Sequence, residues 1–434
     1  MMNRPRLPLW GLPALVVLTW ACEAPAPPEG SGPSASDDAS AAAEPDPSAA
    51  EGAGSSGDPQ AAPEDLLAAH GIFDDSIVFG QSAAFSGDPA GLGINMRLGI
   101  RAAFDEANRA GGIHGRELKL IWEDDRYEPE LAVEKTRMLI HHGIFGLIGA
   151  VGTPTSARAE PIASESRVPY IGAFTGAGLL RRENQRYVVN LRASYDQETE
   201  EMVERLTTDL NFSRIAILYQ DDSYGYAGLS GVRKALERRN MALVGEGTYV
   251  RNTLAVKRAA LNLRESNPQA VIIIGAYRPA AEFIRWARKL GMRTTVYVNI
   301  SFVGSNNLLR ELGWSGEGVV VTQVVPFPLD ADIPVVVQYR DALERHDSSA
   351  QPGFISLEGY LVGRLVVEVL RRAADPDGAP PTRESFLQTL AEAGPIDLGG
   401  FVVEYGLRDN QGSEAVFLTV IRDGQFVPVS ELSR

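Results

Sequence analysis

Two adjacent carboxylates, Asp221 and Asp222, lie beside tyrosines in the stretch YQDDSYGYAG. Paired carboxylates can transfer protons in catalysis or bind a metal ion. The preceding run RIAILYQ is typical of a strand, and a helix is predicted to begin at about Ser223. Asp side chains favour such a helix N-terminus, whereas a calcium loop would need alternating oxygen ligands that are missing here. The sequence therefore favours helix-capping or cleft-rim acids over a catalytic or metal-binding pair.

Other residues that could do chemistry do not form a known catalytic pattern. The sequence has no G-x-S-x-G, H-E-x-x-H or G-x-x-x-x-G-K-[ST] motif, and its two dinucleotide-like stretches, GLGINM and GAGLLR, lack the final glycine. His141 and His142 are adjacent on a predicted helix, so their side chains diverge. The single cysteine, Cys22, excludes a thiolate metal site and an internal disulfide. We expect no enzymatic activity, no metal and no cofactor.

One polar site is predicted in GAVGTPTSARAEP, where a strand ends at a glycine turn and Thr153-Pro154 begins a helix. The free N–H groups of Thr155 and Ser156, with the hydroxyls of Thr153 and Thr155, could bind an anion or another polar group. The alternative is that Thr153 only caps its own helix.

The chain is acidic overall, with 434 residues and a formal net charge of −15. A chain of this length, with 44% hydrophobic residues, suggests about two domains plus tails. Residues 23–70 carry ten Asp and Glu and no Lys or Arg. The remainder is also mildly acidic, which argues against nucleic acid as a partner, because there is no excess of Lys and Arg to neutralise the phosphates.

The N-terminus is predicted to be a targeting signal. A basic start, MMNRPR, precedes the apolar stretch LPLWGLPALVVLTWAC, which is too short and too interrupted by proline for a spanning helix. Cys22 ends this stretch after the small residue Ala21, which resembles a lipobox, although Thr19 stands where leucine is usual. We predict a lipoprotein signal over residues 1–22 with lipid on Cys22. An ordinary secretory signal cleaved near Ala21, or an uncleaved anchor, are the alternatives, and all three place the body outside the cytoplasm.

Residues 23–70 consist mainly of Pro, Ala, Ser, Gly, Asp and Glu. Such a segment cannot bury enough apolar surface to offset the entropy of ordering, and its prolines and like charges favour extension. We expect a disordered tether between Cys22 and the folded body.

From Ser76 onward, short apolar runs alternate with helical patterns, and a second such alternation begins after Arg192. β-Branched runs such as VIIIG are typical of strands buried on both faces. The sequence predicts an α/β protein of two doubly wound, Rossmann-like lobes. In such sheets the ligand crevice lies at the carboxyl ends of the strands, where AVGT, GAFTG, YQDDSYG, GAY and NISF are found.

Several stretches together resemble the type I periplasmic solute-binding proteins, the branched-chain amino-acid-binding family of ABC transporters. They are AAFSGDPAGLGINMRLGIRAAFDEANRAGGIHGRELKLIWEDDRYEP, FGLIGAVGTPTSARAEPIASESRVPYIG, RIAILYQDDSYGYAGLSGVRKAL and PQAVIIIGAYRPAAEFIRWARKLGM. No single motif is diagnostic, but their order and spacing are specific. The resemblance covers about Ser76 to Val429.

The resemblance implies two lobes joined by three crossovers that close over a ligand like a flytrap. The crossovers would lie near Asn190–Arg192, near Thr322–Val324 and at about Ile396–Gly400. The N-terminal lobe would then comprise residues 76–190 and about 323–395, and the C-terminal lobe 191–322 and about 396–434. The implied protein is a monomer on the periplasmic side of the cell envelope that delivers a small molecule to a membrane permease.

The resemblance also implies a set of site residues. Thr153 falls on the ligand-hydroxyl position, Tyr224 and Tyr277 keep two tyrosines of the family, and Gly176 replaces a threonine in the segment that holds the ligand carboxylate. Ser301 falls near the acidic residue that pairs with the ligand ammonium, and Leu92 replaces an aromatic lid. The full set of candidate ligand-binding residues is Leu92, Thr153, Thr155, Phe174, Thr175, Gly176, Tyr224, Tyr277, Ser301, Phe302 and Phe354.

These departures from the family pattern bear on the ligand. A buried ammonium needs a carboxylate partner, so Ser301 argues against an ordinary α-amino acid. Leu92 and Gly176 are expected to open space for a larger or more apolar ligand, with aromatic walls. Phe302 and Phe354 could instead belong to the lobe cores. Two further functions stay open on the same fold, a ligand-sensing module for a signalling partner and a carrier of a hydrophobic, lipid-like molecule.

Overall fold

The computed structural model of the protein describes residues 70–374 and 379–433. The predicted signal (1–22), Cys22 and nearly all of the predicted tether lie outside the described residues. No helix in the described part of the chain combines the length and apolar character needed to cross a membrane.

A five-stranded parallel sheet organises the first lobe, in the order β2-β1-β3-β4-β5. This order is typical of doubly wound α/β sheets, in which helices connect neighbouring strands. Its elements are β1 (Ser76–Ala83), α1 (Ala90–Arg109), β2 (Glu117–Asp124), α2 (Pro129–His141), β3 (Leu147–Ile148), α3 (Thr153–Glu165), β4 (Tyr170–Ile171) and β5 (Val188–Val189).

A seven-stranded sheet organises the second lobe, in the order β14-β13-β10-β9-β8-β6-β7. Strands β6 to β10 are parallel, and β13 and β14 add an antiparallel edge. The elements up to β10 are α4 (Tyr195–Thr208), β6 (Ile215–Gln220), α5 (Ser223–Glu237), β7 (Gly245–Tyr249), α6 (Lys257–Glu265), β8 (Ala270–Ile274), α7 (Tyr277–Lys289), β9 (Val296–Asn299), α8 (Ser305–Leu312) and β10 (Val320–Gln323).

The remaining elements are α9 (Pro334–His346), α10 (Phe354–Ala373), α11 (Arg383–Glu392), β11 (Ile396–Asp397), β12 (Val402–Val403), β13 (Phe417–Arg422) and β14 (Gln425–Val429). Every residue of β6 and β8 is buried, as their β-branched composition predicts for strands covered on both faces. The predicted fold of two Rossmann-like α/β lobes is confirmed.

Helix α10 returns to the first lobe and packs closely on α1. A Cβ atom at Gly99 would lie 1.9 Å from the carbonyl oxygen of Ser356, and one at Gly359 would lie 2.3 Å from that of Met96. Glycine at these positions lets the two helix backbones approach one another. Glu358, next to Gly359 on α10, is buried.

The third crossover lies later in the chain than predicted. The β11–β12 hairpin is held against α9, where the Val335 N–H donates to the Gly399 carbonyl at 2.8 Å. Farther on, the Gly412 N–H donates to the carbonyl of Asn190, at the first crossover. The chain enters the second sheet only at β13. The prediction of a crossing at Ile396–Gly400 is therefore wrong, and residues 396–412 run beside the first lobe.

Candidate ligand-binding cleft

Five aromatic rings meet where the loops at the strand ends of the two lobes face each other. The Phe302 ring centroid lies 5.3 Å from that of Phe174, 4.5 Å from that of Tyr224 and 6.2 Å from that of Tyr127. Tyr195 completes the group at 5.6 Å from Tyr224. All five side chains are buried. We call these five residues the aromatic cluster; Tyr127 and Phe174 come from the first lobe and the others from the second.

Two hydroxyls lie beside the aromatic cluster. The Thr153 and Thr175 Oγ1 atoms are 2.7 Å apart, and the Thr175 hydroxyl donates to Tyr195 Oη at 3.3 Å. The N-cap of α3 is Gly152, with φ of 101°, and no side chain caps this helix. Thr153 is therefore the first helical residue, and the alternative that it caps its own helix is wrong. Its hydroxyl pairs across the loops instead.

Thr155 is separated from these groups. Its hydroxyl donates back to the Val151 carbonyl at 2.5 Å. The side chain lines a small cavity inside the first lobe, with Ser82, Asp125 and Tyr170. The predicted anion site on the α3 N-terminus therefore loses one of its two hydroxyls, because in a helix a threonine Oγ1 readily bonds the carbonyl one turn back.

Gly176 does not open space for a ligand, contrary to the expectation from the sequence. A Cβ atom there would lie 2.5 Å from Cδ1 of Tyr195 and 2.8 Å from its backbone nitrogen. The Tyr195 N–H also donates to the Gly176 carbonyl at 2.7 Å. The tyrosine ring fills the volume that a threonine side chain would need, so Gly176 is required by the close approach of the crossover.

Replacing Gly176 by threonine is expected to destabilise the fold by about 1–3 kcal/mol, the usual cost of overpacking. Urea unfolding of the purified protein measures this change. Gly178→Ala is the matched control, because a Cβ atom at Gly178 meets nothing within 4 Å. Equal stability of Gly176→Thr and Gly178→Ala would contradict the assigned role of Gly176.

The acid pair has a structural role. Asp222 is the N-cap of α5, and its carboxylate accepts the Tyr224 N–H at 3.0 Å. Asp221 accepts a hydrogen bond from Tyr226 on the exposed side of the same helix. This confirms the capping prediction and fixes Tyr224 in the aromatic cluster. The pKa of Tyr224 is raised well above its usual value, chiefly because burial disfavours the phenolate.

Tyr277 and Leu92 lie at contacts between the lobes rather than in the aromatic cluster. The Gly91 N–H donates to Tyr277 Oη at 3.2 Å. Leu92 is buried and packs close to Gly304, where a Cβ atom would lie 2.7 Å from Leu92 Cδ2. Leu92 thus closes space against the second lobe, and the expectation that it opens space is wrong. Leucine is small enough to nest against a glycine backbone.

Ion pairs also join the lobes around the cleft. Arg278 pairs with Asp88, and Arg251 pairs with both Glu128 (2.7 Å) and Asp222 (3.2 Å). Arg251 therefore bridges a carboxylate of the first lobe and the capping acid of the second. Partly exposed pairs of this kind contribute little energy individually, so they favour correct docking of the lobes more than tight closure.

Phe354 is not brought to the aromatic cluster. Its ring contacts are with Phe327 and Phe426, each at 5.9 Å between centroids. Phe302 therefore lies in the aromatic cluster, whereas Phe354 lies in a separate aromatic contact. The difference arises because Phe302 follows β9 directly, whereas Phe354 begins a helix of the first lobe.

A buried charge cluster that was not predicted from the sequence lies beside Ser301. Glu198, on α4, accepts hydrogen bonds from Ser301 N–H (2.9 Å), Ser301 Oγ (2.9 Å) and Thr322 Oγ1 (2.6 Å). Arg192 donates to Ser301 Oγ, and its Nε lies 3.4 Å from Glu358 Oε1. Arg192, Glu198 and Glu358 are all buried. We call these three residues the charge cluster.

The charge cluster corrects the premise that no carboxylate lies opposite Ser301. Glu198 lies 103 residues earlier in the chain, and its side chain reaches Ser301 only because α4 packs against β10, beside the loop that follows β9. The sequence points to Glu198 only through its position, shortly after the predicted crossover at Arg192. Burial raises the pKa of Glu358 to about 7, although the Arg192 cation opposes the shift. No group of three or more His, Cys, Asp or Glu residues suited to a metal occurs in the described ranges.

Known proteins match both lobes. The profile of a family described as periplasmic binding protein matches residues 76–425. A possible leucine/isoleucine/valine-binding protein from Rhodopirellula baltica SH 1 is 37% identical with a TM-score of 0.77, over 86% of this chain and 98% of that one. A substrate-binding periplasmic protein from Ralstonia solanacearum is 29% identical with a TM-score of 0.76, over 82% and 100%.

A curated relative, Leu/Ile/Val-binding protein homolog 7 from Brucella abortus (strain 2308), is 22% identical over 368 residues, 81% of this chain and 91% of that protein. The family resemblance read from the sequence is thereby confirmed. Members are non-enzymatic proteins of the periplasm that bind small solutes for ABC transporters. This chain belongs to the periplasmic binding protein family, as a type I protein of its branched-chain amino-acid-binding branch.

Proposed function

We propose that this protein captures a small molecule between its two lobes and delivers it to the permease of an ABC transporter. The observation that supports this most directly is the aromatic cluster, which both lobes build and bury together. Rings on facing lobes provide an apolar enclosure, and the hydroxyls of Thr153 and Thr175 provide polar contacts beside it. A ligand that contacts both lobes stabilises their closed arrangement.

Mass spectrometry of solutes that co-purify with the protein, followed by calorimetry, tests solute capture. A bound solute should raise the melting temperature and reduce the radius of gyration measured by X-ray scattering. Capture would be contradicted if no solute co-purifies and a broad set of metabolites changes neither quantity.

We further propose that the ligand is not an ordinary α-amino acid. The carboxylate of Glu198 already accepts three hydrogen bonds, so an ammonium at Ser301 would compete with partners that are in place. The five rings of the aromatic cluster favour a more apolar ligand. Leucine binding with micromolar or lower Kd in calorimetry would contradict this proposal.

The protein is also proposed to be anchored to the membrane by lipid on Cys22. Cys22→Ser removes the acceptor thiol and is expected to move most of the protein from the membrane fraction to the soluble fraction. Thr19→Leu, which restores the usual lipobox residue, is the control and should leave membrane association intact. Fractionation with immunoblotting measures both, and membrane retention of Cys22→Ser would refute lipid anchoring.

A further inference from the structure

Arg192, in the first crossover, is fully buried. Its guanidinium carbon lies 4.6 Å from the ring centroid of Phe174, so the cation stacks on a member of the aromatic cluster. The side chain donates one hydrogen bond, from Nη2 to Ser301 Oγ. Burial disfavours its charge, but the carboxylates of Glu358 and Glu198 outweigh that effect and raise the pKa of Arg192. It is therefore a permanent buried cation.

Part of this cation lacks hydrogen-bond acceptors. Among residues 70–374 and 379–433, neither Nε nor Nη1 of Arg192 has a hydrogen-bond partner. Nε lies 3.4 Å from Glu358 Oε1, which is an ion-pair distance without hydrogen-bond geometry. A buried donor without an acceptor is destabilising, and a charged donor more so. Such a group beside a cleft is arranged to receive an acceptor from outside the chain.

We propose that Arg192 binds the carboxylate of an organic acid whose apolar body lies in the aromatic cluster. This inference rests on the solute capture proposed above and names the ligand class. A guanidinium presents its N–H groups along the edges of a plane, which matches the two oxygens of a carboxylate. Because the face of Arg192 stacks on Phe174, its unpartnered Nη1 stays available to a carboxylate oxygen while the acid's apolar portion contacts Phe302 and Tyr224.

Charge balance gives this acid site a pH dependence. Two cations, Arg192 and Arg181, and two carboxylates, Glu198 and Glu358, face one another here. A ligand carboxylate adds a negative charge and competes with Glu358 for Arg192. With its pKa of about 7, Glu358 can take up a proton as the acid binds. Binding is therefore tightest below pH 7 and weakens as Glu358 ionises, by about tenfold from pH 6 to pH 8.

The test uses calorimetry on the purified full chain with matched probes. The acids are 4-methylpentanoate and 3-phenylpropanoate, and each is compared with its uncharged amide and with its α-amino acid, leucine or phenylalanine. The expected result is that at least one acid binds and that its amide and its amino acid bind at least about 100-fold more weakly. The amide lacks the carboxylate that pairs with Arg192, and the amino acid adds an ammonium group that the Arg192 cation repels.

Three variants separate binding from folding. Arg192→Gln is expected to weaken acid binding about 100-fold. Arg192→Gln/Glu358→Gln removes one charge of each sign and leaves Arg181 as the neighbouring cation of Glu198, so it should fold yet still fail to bind. Glu358→Gln alone replaces the protonated acid by a neutral amide, so it should abolish the pH dependence of acid binding. Circular dichroism and urea unfolding establish that each variant is folded.

The outcomes are distinct. Unchanged acid affinity in the folded double variant would overturn the role of Arg192. Binding of leucine or phenylalanine in preference to both acids would overturn the ligand class while leaving solute capture standing. Failure of all six probes would also overturn the ligand class as stated here, and the co-purification experiment then decides solute capture independently. A persistent pH dependence in Glu358→Gln would overturn the proton coupling.

Discussion

Replacing Glu198 by alanine is expected to lower the free energy of unfolding by about 3–5 kcal/mol, the cost of removing one partner from a buried charged network. The substitution leaves the Ser301 N–H without its acceptor and leaves the Thr322 hydroxyl only a longer bond, of 3.4 Å, to the Asn299 carbonyl. It also leaves Arg192 with one counter-charge fewer. Because Glu198 joins α4 to β10 and to the segment that follows β9, the loss falls on the second lobe. Urea unfolding followed by circular dichroism measures it.

Glu201→Ala is the matched control for Glu198→Ala. Glu201 lies three residues later on the same helix and makes a partly exposed pair with Arg205. Such i,i+4 pairs contribute about 0.3–0.5 kcal/mol, so this variant should remain near the wild-type stability. A similar, small effect for both substitutions would contradict the structural importance of the charge cluster.

Phe302→Ala is expected to open the molecule rather than unfold it. The ring is fully buried, but part of its contact surface belongs to Phe174 and Tyr127 of the other lobe. Truncating a buried phenylalanine costs about 3–5 kcal/mol, and here much of that cost falls on the closed arrangement of the lobes. X-ray scattering should therefore show a larger radius of gyration, while the urea midpoint changes comparatively little.

Phe283→Ala provides the comparison. Phe283 is equally buried but lies within the second lobe, with its ring 6.3 Å from that of Tyr297. Its truncation should reduce the free energy of unfolding by about 3–5 kcal/mol without enlarging the folded molecule. If Phe302→Ala destabilises folding as much as Phe283→Ala and leaves the scattering unchanged, Phe302 is a core residue of its lobe.

Much of the fold could be predicted because its signals are local. The buried runs at β6 and β8 and the glycine and proline residues at helix ends specify alternating strands and helices without knowledge of distant contacts. The capping role of Asp222 was predictable for the same reason, since a cap needs only the strand before it and the helix after it. The third crossover was misplaced because its position depends on bonds from Gly399 and Gly412 to residues far away in the sequence.

The sequence predicted which candidate residues lie together only where each lies at the end of its own strand. Thr153, Phe174, Tyr224 and Phe302 meet at the cleft because parallel strands end at a common edge. At Gly176 the departure from the family pattern does not create space, because the ring of Tyr195 occupies the volume of the missing side chain. A vacant volume cannot be inferred from a small residue until its neighbours across the fold are known.

By itself, the sequence determined the two-lobed α/β architecture, the strand-end position of the cleft and the absence of known catalytic motifs, because each depends on short-range patterns. Only the tertiary structure decided the charge of the cleft. Arg192, Glu198 and Glu358 come from a crossover and from helices of different lobes, and nothing in their spacing brings them together. Buried charges are stabilised by partners in space, so their pairing follows from the packing of α4 and α10 rather than from any local pattern.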